Sequence, residues 1–403
     1  MAAEGAAGSQ AQGSAWDVFK AFLVLGLTSF GGPVAHLGYF REAFVARRAW
    51  LSEAAYADLV ALCQVLPGPA SSQVGMGIGL HRAGLAGMAA AWTAFTLPSA
   101  LLLAGFAAGL AVLQPSAETG WLLGLKAAAA AVVAQALIGM AKSLTPDLPR
   151  AALAILGFFP LVLAPHPMTP VLVLLGGGAL GWLFLKEDPN GAGEAPGTLN
   201  TLPRKGALAA LAAFAALLAL LPIAAIEGGA AAALIDKFYR AGSLVFGGGH
   251  VVLPLLQSEM VSTGFVSEAD FLAGYGAAQA VPGPLFTFAA FLGYASEGAI
   301  TGPLGAALAL IAIFLPSALL LLGVLPFWAG LRANAALRRG LAGVNAAVVG
   351  LLAAAFYDPV VLEGVKSLPA ALIAIGGLGA LYFAKVPQWL VVAAAALAGA
   401  VLL

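Results

Sequence analysis

The sequence predicts an all-α polytopic membrane protein built from two inverted-topology repeats with broken or re-entrant half-helices. Three observations predict this class: the composition, a series of long apolar segments, and an internal duplication. The chain has 403 residues, of which 62% are hydrophobic and 9% are charged, and its mean hydropathy is +0.98. Soluble domains carry roughly 25% charged residues, so this chain cannot cover a surface that faces water.

Nine uninterrupted apolar segments follow one another along the chain. Most of them reach the roughly 17–25 residues that a bilayer core requires. They lie at about 86–113, 121–142, 150–164, 170–186, 207–226, 304–326, 341–357, 369–384 and 388–403. The segments at 150–164 and 388–403 are short, so tilt or local thinning of the bilayer must help them to span. We therefore expect about nine full spans, with additional hairpins.

The duplication is visible in three motifs. Phe30-Gly31-Gly32 recurs as Phe246-Gly247-Gly248, Gln64-Val65-Leu66-Pro67-Gly68-Pro69 recurs as Gln279-Ala280-Val281-Pro282-Gly283-Pro284, and Leu-Pro-Ser-Ala-Leu-Leu-Leu occurs at 97–103 and at 315–321. The spacing between copies stays between 215 and 218 residues. Many membrane carriers are built from paired repeats of this kind.

These motifs divide the chain into five parts. We expect a disordered tail at 1–15, a first membrane repeat at 16–186, a polar linker at 187–206, a connecting transmembrane helix at 207–226 and a second membrane repeat at 227–403. The tail has no basic segment followed by an apolar core, which argues against a cleaved signal peptide. The linker is rich in proline, glycine and acidic residues, a composition typical of loops.

The distribution of basic residues predicts that the repeats have opposite orientations. If the linker is cytoplasmic and residues 53–80 fold back as a hairpin, the basic residues of the first repeat lie on the cytoplasmic side. The extra span at 207–226 then inverts the second repeat and places Arg332, Arg338 and Arg339 on the same side, as the positive-inside rule requires. Lys237 and Arg240 fall on the opposite side, near one membrane edge.

Two stretches, 17–81 and 238–294, are apolar but are each broken twice by glycine and proline. A helix through Gly31-Gly32-Pro33 or through a Pro-Gly-Pro triplet loses backbone hydrogen bonds. Broken backbone at membrane depth is tolerated only where protein buries it or where it lines a wet cavity. Four breaks at matched places in two repeats therefore predict paired half-helices around a binding site.

The half-helices that follow the breaks suit an anion. The first turn of a helix has unpaired N–H groups and the positive end of the helix dipole. Ser71 and Ser72 add hydroxyl donors in the first repeat, whereas only Thr287 is polar at the matching place in the second. Our candidate substrate-binding residues are Gly31, Gly32, His36, Arg41, Gln64, Pro67, Gly68, Pro69, Ser71, Ser72, Arg82, Lys126, Gly247, Gly248, His250, Gln279, Pro282, Gly283, Pro284 and Thr287.

Several of these candidates have two readings. Gln64 and Gln279 either bond a nearby freed carbonyl or orient the substrate. His36 and His250 are either structural histidines or sites of proton exchange. Arg41 and Arg82 either fix topology or hold an oxyanion through the planar guanidinium. Lys126 is either a snorkelling lysine or a charge that serves the anion path.

Other classes of function lack their signals. The net charge is zero, which gives no basic face for nucleic acid. The single cysteine, Cys63, excludes an internal disulfide, and the sequence has no cluster with metal-ligand spacing and no Walker A motif. No nucleophile–base pair stands out. We expect a protein that is not an enzyme and that has no cofactor and no bound metal.

In these motifs the chain resembles the chromate transporter family. The resemblance rests on Phe-Gly-Gly, Gln-x-x-Pro-Gly-Pro and the downstream Leu-Pro-Ser in each repeat, covers 17–142 and 238–357 closely, and fits the long, two-domain members. It implies a carrier in the bacterial inner membrane that exports chromate, driven by the membrane potential or a proton gradient, with sulfate as a competitor. The second repeat departs from the first at Gly249, which stands where the first repeat has Pro33.

Two other classes of function remain open at this point. A passive anion channel would use the same half-helix N-termini, and a membrane scaffold or sensor would need none of the matched breaks. The expected partners are a tetrahedral oxyanion and membrane lipids, and a homodimer is left open as the assembly.

Overall fold

The computed structural model describes residues 13–113, 119–164, 166, 168–186, 199–227, 229–246 and 249–403. Within these ranges the chain forms helices and no strand, which confirms the predicted all-α polytopic class. The N-terminal tail up to residue 12, residues 187–198 of the linker, and both Gly247 and Gly248 lie outside the described residues.

The first half of the chain contains a series of apolar helices, several of which begin at a side-chain cap. They are α1 (Ala15–Thr28), α2 (Gly32–Phe40), α3 (Glu53–Val65), α4 (Ala70–Leu113), α5 (Gly120–Leu144), α6 (Leu148–Leu163) and α7 (Thr169–Phe184). Ser14, Ser52 and Asp147 accept hydrogen bonds from the first turns of α1, α3 and α6, which satisfies donors that the helix itself leaves free. A π-helical segment, Arg41–Arg47, continues α2.

The second half repeats this order after one extra helix. Its helices are α8 (Arg204–Glu227), α9 (Ala230–Leu244), α10 (Val252–Leu256), α11 (Glu268–Ala278), α12 (Phe288–Ala295), α13 (Gly302–Val324), α14 (Trp328–Arg332), α15 (Ala335–Ala355), α16 (Leu362–Gly364), α17 (Leu368–Tyr382) and α18 (Gln388–Leu402). A π-helical segment, Gln257–Val261, continues α10, at the place where Arg41–Arg47 continues α2.

Five helical stretches among the described residues are long and apolar enough to cross a membrane. They are Ala70–Leu113, Gly120–Leu144, Arg204–Glu227, Gly302–Arg332 and Ala335–Gly364. The other four predicted spans are the helices α6, α7, α17 and α18, which have 15 or 16 residues each. At 1.5 Å per residue these are roughly 24 Å long, so they span a core of about 30 Å only with local thinning.

The helix α4 reverses direction near its middle. Ala83 and Gly84 have non-helical dihedral angles, and Gly84 has a φ of +62°. A Cβ on Gly79 would overlap the carbonyl of Gly87, so the two arms are in backbone contact. The second repeat has the same contact between Gly293 of α12 and Gly305 of α13. Each repeat therefore places a short helix against a long one, joined at the tip.

The two repeats exchange their last helices. The helix α18 packs on α5, and α7 packs on α15. Both contacts are antiparallel, because Gly120 lies beside Gly399 while Gly124 lies beside Ala395, and Gly177 and Gly181 meet α15 in the same reversed order. The chain reverses twice between α5 and α7, so these two helices run in the same direction. Because α7 is antiparallel to α15, α5 and α15 run in opposite directions. This is the geometry of an inverted repeat.

Candidate functional site

The two Pro-Gly-Pro turns cross over to the opposite repeat. The Gly68 amide donates to the Val245 carbonyl at 2.6 Å, and the Gly283 amide donates to the Ser29 carbonyl at 2.9 Å. Val245 and Ser29 are the residues that precede the Phe-Gly-Gly breaks of their own repeats. The turn of each repeat is thus bonded to the break of the other, and the interrupted segments meet at the centre of the fold.

Glycine is required at both turns. Gly68 and Gly283 have φ values of +123° and +94°, which side chains rarely adopt. A Cβ on Gly68 would overlap Oγ of Ser317, and a Cβ on Gly283 would lie 2.9 Å from Oγ of Ser99. Ser99 and Ser317 are the serines of the duplicated Leu-Pro-Ser motif. Each turn therefore packs against the Leu-Pro-Ser serine of the opposite repeat.

A buried polar group joins the first break to the start of α4. Nε2 of His36 lies 3.2 Å from the Ser29 carbonyl, and Nδ1 lies 3.4 Å from Oγ of Ser71. The ring also meets Phe95 edge-on, with 5.2 Å between centroids. His36 and Ser71 are both buried. These contacts tie α2, α4 and the first break together, and through Ser29 they reach the second turn.

A small cleft lies between the first break and the second turn. Gly31, Gly32 and Pro33 line one side, and His250, Gln279 and Gly283 line the other. Gln388, at the start of α18, also lines the cleft, whose volume is about 20 Å³. Gly31 is the N-cap of α2 with a φ of +103°, so the first turn of α2 begins at the cleft.

His250 and Gln279 are polar side chains that the second repeat places at this cleft, in addition to Gln388. Nδ1 of His250 lies 2.9 Å from the Tyr275 hydroxyl, which orients the imidazole ring. Gln279 is buried near the same hydroxyl, and its Nε2 has no hydrogen-bond partner among the described residues. Gln64, its counterpart in the first repeat, is exposed. The two glutamines therefore occupy different surroundings.

The prolines and Thr287 shape the turns. Nε2 of the Gln73 side chain donates to the Pro67 carbonyl at 2.8 Å, and the backbone N–H of Gln73 donates to the Pro69 carbonyl. The Pro284 carbonyl accepts the Thr287 hydroxyl at 2.7 Å. Pro282 lies in the second turn, directly before Gly283. In this structure Thr287 bonds its own turn rather than pointing into the cleft.

The three basic candidates lie away from the cleft. Arg41 is exposed and pairs with Glu53. Arg82 stacks on the Trp50 ring at 5.2 Å and follows Ser71 by eleven helical residues, or roughly 16 Å. Lys126 lines a separate cavity of about 620 Å³ together with Ser267, Asp270 and Ser296. Among the described residues that line the cleft there is no lysine or arginine.

Four residues at the crossing and the cleft are absent from the site that the sequence predicts. Ser317 and Ser99 stand in a motif that the duplication had marked, so their repeated positions were an available signal. Gln73 is a buried polar residue directly after Ser71-Ser72. Gln388 comes from the last helix, and no pattern in the sequence connects it to the first break.

Helices that are long and apolar enough to cross a membrane, arranged as inverted repeats whose interrupted segments meet, are the architecture of many membrane transporters. The chain belongs to the Chromate transporter family, which matches it twice, over residues 16–182 and 232–400.

Three curated relatives are similar to it over nearly their whole length. The chromate transport protein of Pseudomonas aeruginosa is 31% identical, with 95% of this chain and 91% of that protein covered. The probable chromate transport protein of Synechococcus elongatus is 28% identical, with 94% and 93% covered. The chromate transport protein of Cupriavidus metallidurans is 29% identical, with 94% and 91% covered. No solved structure matches the chain.

Proposed function

We propose that this chain is a secondary active transporter that exports chromate, or a related tetrahedral oxyanion such as sulfate, across a bacterial inner membrane. The membrane potential or a proton gradient drives the export. Membership of the Chromate transporter family and the names of the three relatives support the substrate. The observation that carries the mechanism is the crossing of the two turns, which gathers both repeats around one polar centre.

In this proposal the oxyanion binds in the cleft between the first break and the second turn. The first turn of α2 supplies backbone N–H groups and the positive end of its dipole. Gly31 and Gly32 let the anion approach that backbone closely. Gln279 donates through Nε2, and His250 donates through the ring nitrogen that Tyr275 leaves free. The site thus balances a dianion with oriented dipoles.

Movement of one repeat against the other provides alternating access. The two crossing hydrogen bonds are the contacts that such a movement has to break or reform. The division of the chain into repeats at 16–186 and 227–403, joined by the linker and α8, supplies the two bodies.

The test is uptake of radiolabelled chromate into everted membrane vesicles, energised or not, with excess sulfate as a competitor. We expect saturable, energy-dependent uptake that control vesicles lack. Uptake that neither saturates nor depends on energy would indicate a passive channel. No uptake above the control would reject the chromate assignment.

A pair of glutamine variants tests the location of the site. Gln279→Ala removes a buried amide that lines the cleft, and we expect KM for chromate to rise about tenfold, as for a lost hydrogen bond to a charged group. Gln64→Ala changes an exposed residue, and we expect KM to stay within about twofold. If both variants raise KM for chromate equally, the proposed location of the site at the cleft beside Gln279 is wrong.

A further inference from the structure

Three buried polar atoms around the first turn have no hydrogen-bond partner among the described residues. They are Oγ of Ser72, Oε1 of Gln73 and Oγ of Ser317. The exposed fractions of these residues are 3%, 0% and 0%. Most buried polar groups in proteins are paired, because an unpaired one costs stability. Two of them, the hydroxyls of Ser72 and Ser317, are hydrogen-bond donors without an acceptor and therefore need a reason.

The side chains of Ser317 and Gln73 both reach Gly68, and Ser72 lies in the first turn of α4, directly after the Pro-Gly-Pro turn. A Cβ at this glycine would meet Oγ of Ser317 and Nε2 of Gln73. Gly68 itself is held by its bond to the Val245 carbonyl at 2.6 Å. The residues that follow the turn open α4, whose first arm runs for thirteen residues before the break at Ala83. The hydroxyl of Ser317, from the second repeat, therefore lies at the N-terminus of a helix of the first repeat.

At the second turn the residues equivalent to Ser72, Gln73 and Ser317 carry no such group, and the unpaired atoms lie on other residues, namely Nε2 of Gln279 and Oγ of Ser29. The Thr287 hydroxyl donates to the Pro284 carbonyl at 2.7 Å, where Ser72 has no partner. The Ser99 hydroxyl donates to the Thr96 carbonyl at 3.1 Å, where Ser317 has no partner. Phe288 stands in the place of Gln73. Repeat symmetry alone therefore does not account for the unpaired hydroxyls.

We infer that the first turn is a second binding station for a tetrahedral oxyanion, formed by Ser72 and by Ser317 of the opposite repeat. The inference rests on the proposed function and deepens it. Both hydroxyls donate to the anion, and the free N–H groups of the first turn of α4 add to them. Gln73 positions the turn through its bond to the Pro67 carbonyl.

The station is closed in this structure and opens when the two turns separate. Gly68 fills the space beside Ser317, and the Gly68–Val245 hydrogen bond holds it there. The cleft at the second turn has a volume of about 20 Å³, enough for roughly one water, so it also has to widen before an oxyanion binds. In the proposed alternating access one repeat moves against the other, and this movement exposes the first turn to the anion.

The chain offers a matched pair of variants as a test. Ser317→Ala removes an unpaired hydroxyl, and Ser99→Ala removes the equivalent hydroxyl of the other repeat, which is already bonded within its own helix. In everted vesicles we expect Ser317→Ala to raise KM for chromate on the order of tenfold. Ser99→Ala should leave KM within about twofold. Sodium sulfate should likewise compete less well for uptake by Ser317→Ala than for uptake by Ser99→Ala.

A stability measurement separates binding from folding. Because the Ser317 hydroxyl is unpaired, we expect the purified, ligand-free Ser317→Ala protein to unfold at or above the temperature of the unchanged protein. Sodium chromate should then raise that temperature less in the variant. Ser72→Ala provides a second variant with the same expectation.

The outcomes are distinct. If the unchanged protein takes up chromate and Ser317→Ala and Ser72→Ala match it, the second station is wrong and the proposed function stands. Equal increases in KM for Ser317→Ala and Ser99→Ala would also overturn the station. If the unchanged protein shows no saturable uptake, the proposed function and the station fail together.

Discussion

The two Pro-Gly-Pro turns make matching contacts with the opposite repeat and differ in the side chains around them. Each turn donates its glycine amide to the opposite repeat, and each packs against a Leu-Pro-Ser serine. The first turn is followed by Ala-Ser-Ser-Gln and the second by Leu-Phe-Thr-Phe. The crossing is therefore common to both repeats, while the helix that follows the first turn begins with more polar residues than the one that follows the second. Architecture and chemistry are separable in this chain, and substitutions can test them separately.

The largest expected effect is on the shared architecture. Gly68→Ala and Gly283→Ala both place a side chain at a strongly positive φ, which costs about 1–3 kcal/mol of folding free energy. Gly68→Ala should cost more, because its Cβ also overlaps Oγ of Ser317, whereas the nearest atom at Gly283 is 2.9 Å away. Thermal unfolding of the purified variants in detergent measures both losses.

A second substitution tests the cause of that difference. Ser317→Ala removes the overlapping oxygen, so it should recover part of the stability lost in Gly68→Ala and bring that variant close to Gly283→Ala. If Gly68→Ala is as stable as the unchanged protein, Gly68 has neither the positive φ nor the close contact with Ser317 described here.

A contact between the repeats gives the next largest effect. Oδ1 of Asp58 in α3 accepts from the Arg332 guanidinium at 2.9 Å and from the Trp328 indole at 3.0 Å. The Asp58 carboxylate is 8% exposed and Arg332 is 23% exposed. We expect Asp58→Ala to cost about 2–3 kcal/mol of folding free energy, less than a fully buried pair because Arg332 retains some water.

The control for Asp58 is an ion pair at the surface. Asp17 and Lys20 are both more than half exposed, so Asp17→Ala should cost much less folding free energy than Asp58→Ala. Equal losses for the two variants, measured by thermal unfolding, would mean that Asp58 does not hold the repeats together.

Local patterns predicted most of the helices and the breaks between them. The nine apolar segments all fall on helices, and Gly31, Gly68 and Gly283 have the positive φ that a broken helix needs. The crossing of the turns was not predictable, because it joins residues such as Gly68 and Val245 that are far apart in the sequence. The hairpin at 53–80 and the span that begins at 86 leave the reversal at Ala83-Gly84 between them, but the backbone contact of its two arms was not predicted, although Gly79 and Gly87 recur as Gly293 and Gly305.

Residues at equivalent positions of the two repeats were predicted to have equivalent roles, but their surroundings in the structure differ. Gln64 and Gln279 follow the same spacing rule, but one is exposed and the other is buried at the cleft. Arg41, Arg82 and Lys126 were candidates because a dianion needs positive charge. A helix dipole supplies part of that charge without a cation, so the type of residue alone did not locate the site.

The smallest effect tests the chemical difference directly. Thr287→Val removes a hydroxyl that bonds the Pro284 carbonyl, and we expect a loss of about 1 kcal/mol of folding free energy. Ser72→Ala removes a hydroxyl with no partner, so the free energy of unfolding should stay the same or rise slightly. Thermal unfolding without added anion measures both. If Ser72→Ala loses as much free energy of unfolding as Thr287→Val, the Ser72 hydroxyl makes a structural hydrogen bond within the first turn, as the Thr287 hydroxyl does within the second.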